Sequence, residues 1–307
     1  MAYRLSFADD VTSSVRQCAR EQLADAVEQL EDAAEDPVTA VHEARKDLKK
    51  TRALLRLVRP ALGRKAYRRE NDALRDIGLA LSGARDADVR VATARALAEH
   101  AAGRLPADVF AALGEALAAE SGDQGRGDGA AARFAPAIEA LRAAGLRVEA
   151  WPLGDAGWDT ALAGVARAYT RGREAFATAR TTPDPELLHA WRKRAKDLWY
   201  HQRLLAPAWP DVLGAQAEAA HGLSELLGDD HDLAVLIERL GDAAPPLTPA
   251  VDARRAALRE LIAHRSEQLR AEAVRLGRRI YAESPKAFSR RLARYVELAV
   301  DEAQADA

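Results

Sequence analysis

Apolar residues in this chain recur every three or four positions over stretch after stretch, and nowhere do β-branched residues alternate with polar ones as a half-buried strand requires. That pattern commits the chain to helices packed on helices, an all-α fold. Alanine, leucine, arginine and glutamate dominate, which is the composition of good helix formers. The periodicity and the turn residues between its segments predict helices over 10–35, 38–60, 66–82, 86–103, 107–120, 133–145, 156–180, 185–206, 211–228, 232–241, 249–282 and 285–304. The breaks fall at Pro60 and Gly63, Gly103 to Pro106, Pro183-Asp-Pro185, Pro207 to Pro210, Pro245-Pro246 and Ser284-Pro285.

The segment Ser121 to Gly129 carries four glycines and reads as a flexible joint. Across it the chain repeats itself. His42-Glu-Ala-Arg45-Lys46-Asp-Leu-Lys49 aligns with His189-Ala-Trp-Arg192-Lys193-Arg-Ala-Lys196 at an offset of 147, and Arg56-Leu57 falls on Arg203-Leu204. Leu81 to Val89 aligns with Leu227 to Val235 at an offset of 146, and at that offset Arg75 falls on His221. An internal duplication predicts one domain over 1–307 built of two halves, 1–120 and 132–307, joined by a linker at 121–131 and related by a pseudo-two-fold axis.

The formal net charge is only -2, from 45 Lys and Arg against 47 Asp and Glu, yet the charge is segregated. Residues 21–36 hold seven acids and no base. Residues 42–69 hold eleven Lys or Arg against Glu43 and Asp47, a local charge of +9, and residues 275–294 hold seven against Glu283, a local charge of +6. Five of the seven lysines (Lys46, Lys49, Lys50, Lys193, Lys196) fall in the repeated segments.

At about 100° per residue, His42, Arg45, Lys46, Lys49, Arg52 and Arg56 occupy one arc of roughly 120°, and Ala44, Leu48, Thr51, Leu55 and Leu62 lie on the adjoining side. His189, Arg192, Lys193, Lys196, Tyr200 and Arg203 take the same arc in the second copy, with Trp191, Ala195 and Leu198 on the apolar side. A solvated helix face usually mixes signs, because like charges at i,i+4 cost about 0.2–0.5 kcal/mol per pair. A stripe of cations with its acids on the other flank is stabilised when an external anion arrives. Its rungs are about 5.4 Å apart, a spacing that lets a linear polyanion be followed turn by turn.

The neighbouring residues admit more than one role. His42 and His189 open the stripes without a second metal ligand at i+3 or i+4, which disfavours metal binding, while a ring N–H suits a phosphate oxygen. Asp86 and Asp232 read as N-caps, and Arg85 and His231 just before them can face an anion at a positive helix end. Asp229-Asp230-His231-Asp232 also has the composition of a metal cluster. Lys286, Arg290, Arg291 and Arg294 form a further ladder, open equally to an anion and to a helix-dipole reading.

The pattern His42-x-x-Arg45-Lys46-x-x-Lys49-x-x-Arg52, then Arg85-Asp86-x-Asp88-Val89, its second copy from His189 to Val235, and the closing Pro285-Lys286-Ala-Phe-x-Arg290-Arg291-Leu resemble the CHAD family, the conserved histidine α-helical domain. The resemblance runs from about residue 5 to 300. It implies two four-helix bundles about a central basic cavity that binds inorganic polyphosphate, and it makes His42, Arg45, Lys46, Lys49, Arg52, His189, Arg192, Lys193 and Lys196 phosphate ligands. Trp199 and Ser82 depart from it, where Arg and Gly are usual, and this narrows the second face. The catalytic triphosphate-tunnel domain that often accompanies the family has no counterpart in this sequence.

The sequence therefore predicts a non-catalytic polyphosphate-binding protein, with Arg75, Arg85, His221, His231, Lys286, Arg290 and Arg291 as further ligands. No cofactor or resident metal is expected. An all-α metal phosphohydrolase built on His231-Asp232 is the first alternative, but His201, His221 and His264 give it no convincing ligand set. Nucleic-acid binding is the second, disfavoured by 5% aromatic content where base stacking wants interleaved rings. Cys18 is the lone cysteine, so no internal disulfide can form. No apolar run suits a leader or a membrane span, and the chain is expected in the cytoplasm, in association with polyphosphate granules.

Overall fold

A computed structural model describes residues 3–81, 85–101, 103–120, 130–241, 244–245 and 247–305, with the side chains of 85–88 and 130–132 outside the description. Twelve α-helices occupy them: α1 (Val11–Glu31), α2 (Pro37–Leu57), α3 (Arg59–Ala80), α4 (Arg85–His100), α5 (Ala107–Ala119), α6 (Ala130–Arg147), α7 (Trp158–Ala179), α8 (Pro185–Leu205), α9 (Pro210–Arg239), α10 (Pro249–Asp252), α11 (Arg255–Ile280) and α12 (Pro285–Ala305). No strand occurs among the described residues, so the all-α class holds. None of the described helices is long and apolar enough to cross a membrane.

The two repeated helices begin alike. Asp36 accepts the Thr39 N–H at 3.1 Å with Pro37 opening α2, and Asp184 accepts the Glu186 N–H at 2.8 Å with Pro185 opening α8. A carboxylate cap satisfies an orphan donor, and proline at the first position sacrifices none. Their apolar faces are buried as the wheel predicts: Ala44, Leu48, Thr51 and Leu55 in α2, Trp191, Ala195 and Leu198 in α8.

Three boundaries differ from the sequence reading. The helix expected to stop at 228 and restart at 232 is one rod, α9, so Asp232 is not an N-cap but lies within the helix. The cause is tertiary: a Cβ on Gly228 would sit 2.5 Å from Arg192 Nη2, so this glycine admits a guanidinium and makes no turn. The helix expected over 249–282 divides into α10 and α11, and α3 starts at Arg59 with a kink at Gly63, whose φ of 71° suits glycine.

Two apolar cores form. The larger gathers α1, α2, α3, α6, α7, α8 and α12, and the smaller gathers α4, α5 and α10. Helices α9 and α11 pack side by side and feed both: Leu213 to Leu227 and Ala273 enter the larger core, Leu233 to Leu240 and Leu258 to Leu269 the smaller. Each core therefore draws on residues from both sides of the glycine-rich segment, which itself lies outside the described residues.

Helices α2 and α8 meet near their C-terminal ends. His201 Nε2 lies 2.9 Å from the Ala53 carbonyl, and Arg56 Nε lies 2.7 Å from Asp197 Oδ1. His201 is buried, and desolvation pushes its pKa down to about 4, so the ring is neutral and donates its Nε2 hydrogen to that carbonyl. A base whose folded pKa is depressed favours the folded state above its unfolded value near 6.5, and that advantage is lost as pH falls from about 6.5 to about 4. At about 1.36 kcal/mol per pH unit the loss is on the order of 3 kcal/mol. Denaturant melts at several pH values should show wild type losing stability through this window faster than His201→Gln; parallel curves would remove the assignment.

Candidate functional site

Where α2, α7 and α8 converge, a cavity of about 650 Å³ opens. Its position depends on a close crossing: Gly164 of α7 lies against the last turn of α2, where a Cβ would stand 2.2 Å from the Leu57 carbonyl oxygen. One turn further along α7, Arg167 and then Arg171 reach the cavity wall. The wall carries nine Lys or Arg residues (Lys49, Arg52, Arg56, Arg59, Arg167, Arg171, Lys193, Arg194, Lys196) against one carboxylate, Asp197. That carboxylate is committed, at 2.7 Å from Arg56 and 2.9 Å from Arg194. Asp197 stands where the first copy has Lys50, so the repeat has exchanged a cation for the acid that ties α8 to α2.

A second cavity, about 520 Å³, continues toward the N-terminal ends of α2 and α8. Among the described residues it holds Arg45, Lys49, Arg90, Arg192, Lys193 and Lys196, with His189, His231, Thr93 and one acid, Asp232. Lys49, Lys193 and Lys196 belong to both walls. Among the described residues, twelve Lys or Arg side chains thus face two carboxylates along one continuous trough. A groove of about 130 Å³ branches off between α2 and α3, lined by Arg45, Lys49, Arg52 and Arg75 with Leu74, Gly78 and Leu79.

The trough sustains its charge against its own field. Burial lowers the Arg52 pKa, and the Arg56 guanidinium adds to the effect; burial lowers Arg167 in the same way, reinforced by Arg59 and Arg171. His189 is lowered by burial first, then by Lys193, His231, Arg192 and Lys196. Its ring centroid lies 4.8 Å from that of His231. Arg167 Nη2, Arg192 Nε, Arg90 Nε and His189 Nδ1 are buried and find no hydrogen-bond partner among the described residues. Donors left this way cost about 1–3 kcal/mol each, a cost that an oxygen-rich guest removes.

Of the sequence candidates, Arg45, Lys49, Arg52, Arg56, His189, Arg192, Lys193, Lys196, Tyr200 and His231 come together on the trough, and Arg75 on the branch groove. Tyr200 is buried there with its hydroxyl pKa pushed up to about 12 by desolvation, so it can only donate or accept a hydrogen bond as a neutral phenol. Ser82 and the side chains of Arg85 and Asp86 lie outside the description, but α4 already starts at Arg85, so Asp86 stands within its first turn and is not its N-cap.

Others are placed elsewhere. His42 and Lys46 do not line the trough: at the edge of the arc they turn to Glu43, with Lys46 Nζ at 2.6 Å and His42 Nε2 at 3.8 Å from its carboxylate. Arg203 lies over the Tyr3 and Trp199 rings at 5.4 and 5.5 Å, and His221 packs on Trp199 at 4.0 Å between ring centroids. An indole in the place of Arg52 has drawn both into an aromatic cluster. Lys286, Arg290 and Arg291 sit on α12, which packs on another flank of α7 through Phe288 stacked on Tyr169 at 3.9 Å. Arg291 donates to both oxygens of Glu283, at 3.1 and 2.6 Å, while Lys286 and Arg290 are exposed. The basic residues lie at the start of α12, so they do not answer its dipole either.

Arg59, Arg90, Arg167, Arg171 and Arg194 line the trough without having been singled out in the sequence. Arg167 and Arg171 had a signal, a like-charged i,i+4 pair with no acid between them, but it lies outside the repeated segments. On the helix expected over 38–60, Arg59 falls about 20° beyond the arc of the stripe, although it opens α3 in the structure. No group of three or more His, Cys, Asp or Glu able to hold a metal ion occurs among the described residues.

Comparison with curated proteins finds no match. The sequence does match the CHAD domain over residues 17–241, most of the chain and the whole of both repeated segments, and on that match the protein belongs to the CHAD domain family.

Proposed function

We propose that this protein binds inorganic polyphosphate in the trough between α2, α7 and α8 and does not transform it. The observation that carries this reading is the wall itself, which among the described residues sets twelve cations against two carboxylates and leaves buried arginine and histidine nitrogens without a hydrogen-bond partner. Such a wall wants a guest with closely spaced negative charges and many acceptor oxygens, and a phosphate chain offers both on every unit. Family membership supports the same guest. That α2 and α8, equivalent helices by the repeat, both line the two cavities supports the two-copy arrangement about a shared basic cavity. Storage of polyphosphate or association with its cytoplasmic granules would be served by binding alone.

Nucleic acid is a weaker guest, since the aromatic rings on the wall, Tyr67 and Tyr200, are too few to stack successive bases. Binding measured over a salt series tests the proposal. Each cation engaged contributes about -0.7 to the slope of log K against log salt, so a chain seated on four or more gives a slope steeper than about -2.8. Long-chain polyphosphate should compete out both DNA and RNA. A slope near zero, or equal competition by DNA, would overturn the assignment.

A further inference from the structure

The branch groove between α2 and α3 has a defined equivalent in the second copy, because the repeat maps each residue lining it. At offsets of 147 and 146, Arg45, Lys49, Arg52, Arg75, Gly78 and Leu79 correspond to Arg192, Lys196, Trp199, His221, Ser224 and Glu225. The first copy is open there. Arg45 Nη1 is held by the Gly78 carbonyl at 3.3 Å and Arg52 Nε by Asn71 Oδ1 at 3.1 Å, so both guanidiniums are anchored on α3 at the groove wall.

In the second copy an aromatic cluster stands at the corresponding position. The Trp199 ring stacks on Tyr200 at 4.5 Å and lies tilted against His221 at 4.0 Å, and Arg203 closes over it at 5.5 Å. Glu225 brings a carboxylate to 3.8 Å from His221 Nε2 where the first copy has Leu79. A guanidinium has become an indole and a leucine an acid, and both changes disfavour an anion on this side.

We infer that a polyphosphate chain longer than the trough leaves it on one side only, through the α2–α3 groove past Arg45, Arg52 and Arg75, while the Trp199–His221 stack closes the equivalent α8–α9 side. The inference rests on the polyphosphate reading and adds to it a direction and a second subsite. Arg75 contributes from a shared position: it lies 3.2 Å from Asp72 and 3.1 Å from Asp76, both about half exposed or more, so a phosphate must compete with them for it. Its contribution should therefore be felt by long chains, whose trough-bound part holds the remainder nearby at high effective concentration, and not by short ones.

Matched neutral replacements test this, Arg75→Gln and His221→Gln, both at partly exposed positions where folding is not at stake. Affinities for tripolyphosphate and for long-chain polyphosphate are measured across a salt series. Arg75→Gln should weaken long-chain binding about five- to tenfold and make its salt slope shallower by about 0.7, leaving tripolyphosphate unchanged. His221→Gln should move neither by more than about twofold. Equal losses in the two variants, or a loss for tripolyphosphate as large as for the long chain with Arg75→Gln, would overturn the one-sided path while leaving trough binding intact. Failure of the unsubstituted protein to bind either ligand would instead overturn the polyphosphate reading on which the inference rests.

Discussion

Polyphosphate affinity should fall by at least about 100-fold when Lys49→Glu and Lys196→Glu are introduced together. These two lysines belong to both cavities, so every path along the trough passes them. Reversal replaces two attractions by two repulsions. A unit pair at 4 Å interacts by up to about 4 kcal/mol at the effective dielectric of a partly buried site, and if only about 1.4 kcal/mol of that survives screening at each position, each reversal costs tenfold. The fold should be spared. Both side chains are half-buried among like charges, and a carboxylate placed beside Arg45, Arg52 or Arg192 relieves the repulsion that the wall otherwise bears. A thermal melt within about 2 °C of wild type, or above it, together with lost binding at moderate salt, is the expected pair of results. Retained binding in a well-folded double variant would mean that the guest sits elsewhere.

The sequence made α2 and α8 legible because everything that defines them is local. An Asp-Pro start, an apolar side of Ala44, Leu48, Thr51 and Leu55, and a cationic arc beside it are all visible within one helix, and the repeat shows them twice. What remained hidden depends on partners distant in the chain. Gly228 followed by Asp229 and Asp230 has the composition of a helix break, yet the helix continues, because the residue that decides is Arg192, lying where a Cβ would be. Arg203 sits on the predicted arc and His221 at the position that repeats Arg75, but the ring of Trp199 gives them an apolar platform and takes them out of the site. The division into halves at the glycine-rich segment follows chain order, whereas the cores follow α9 and α11, whose two ends enter different cores.

Gly164→Ala tests the crossing that places the α7 arginines, and it should be among the most damaging single-methyl changes in the molecule. An added Cβ would stand 2.2 Å from the Leu57 carbonyl oxygen, 2.8 Å from its carbon and 2.9 Å from its Cα. All three are backbone atoms, which cannot rotate away as a side chain would, so the helices must separate. Loss of the packing around Val165, Ala161 and Leu57, all buried, should cost about 3 kcal/mol, on the order of 6 °C in Tm. Gly114→Ala provides the control of opposite sign. It lies inside α5 with nothing within 4 Å of its added Cβ, and replacing glycine by alanine in an open helix position stabilises by about 0.5–1 kcal/mol. Because α7 also carries Arg167 and Arg171, its displacement should weaken polyphosphate binding at temperatures where Gly164→Ala is still folded, and Gly114→Ala should leave binding unchanged. A Gly164→Ala protein as stable as wild type would show that α7 does not approach α2 closely, and the larger cavity would then lose the wall that holds two of its nine cations.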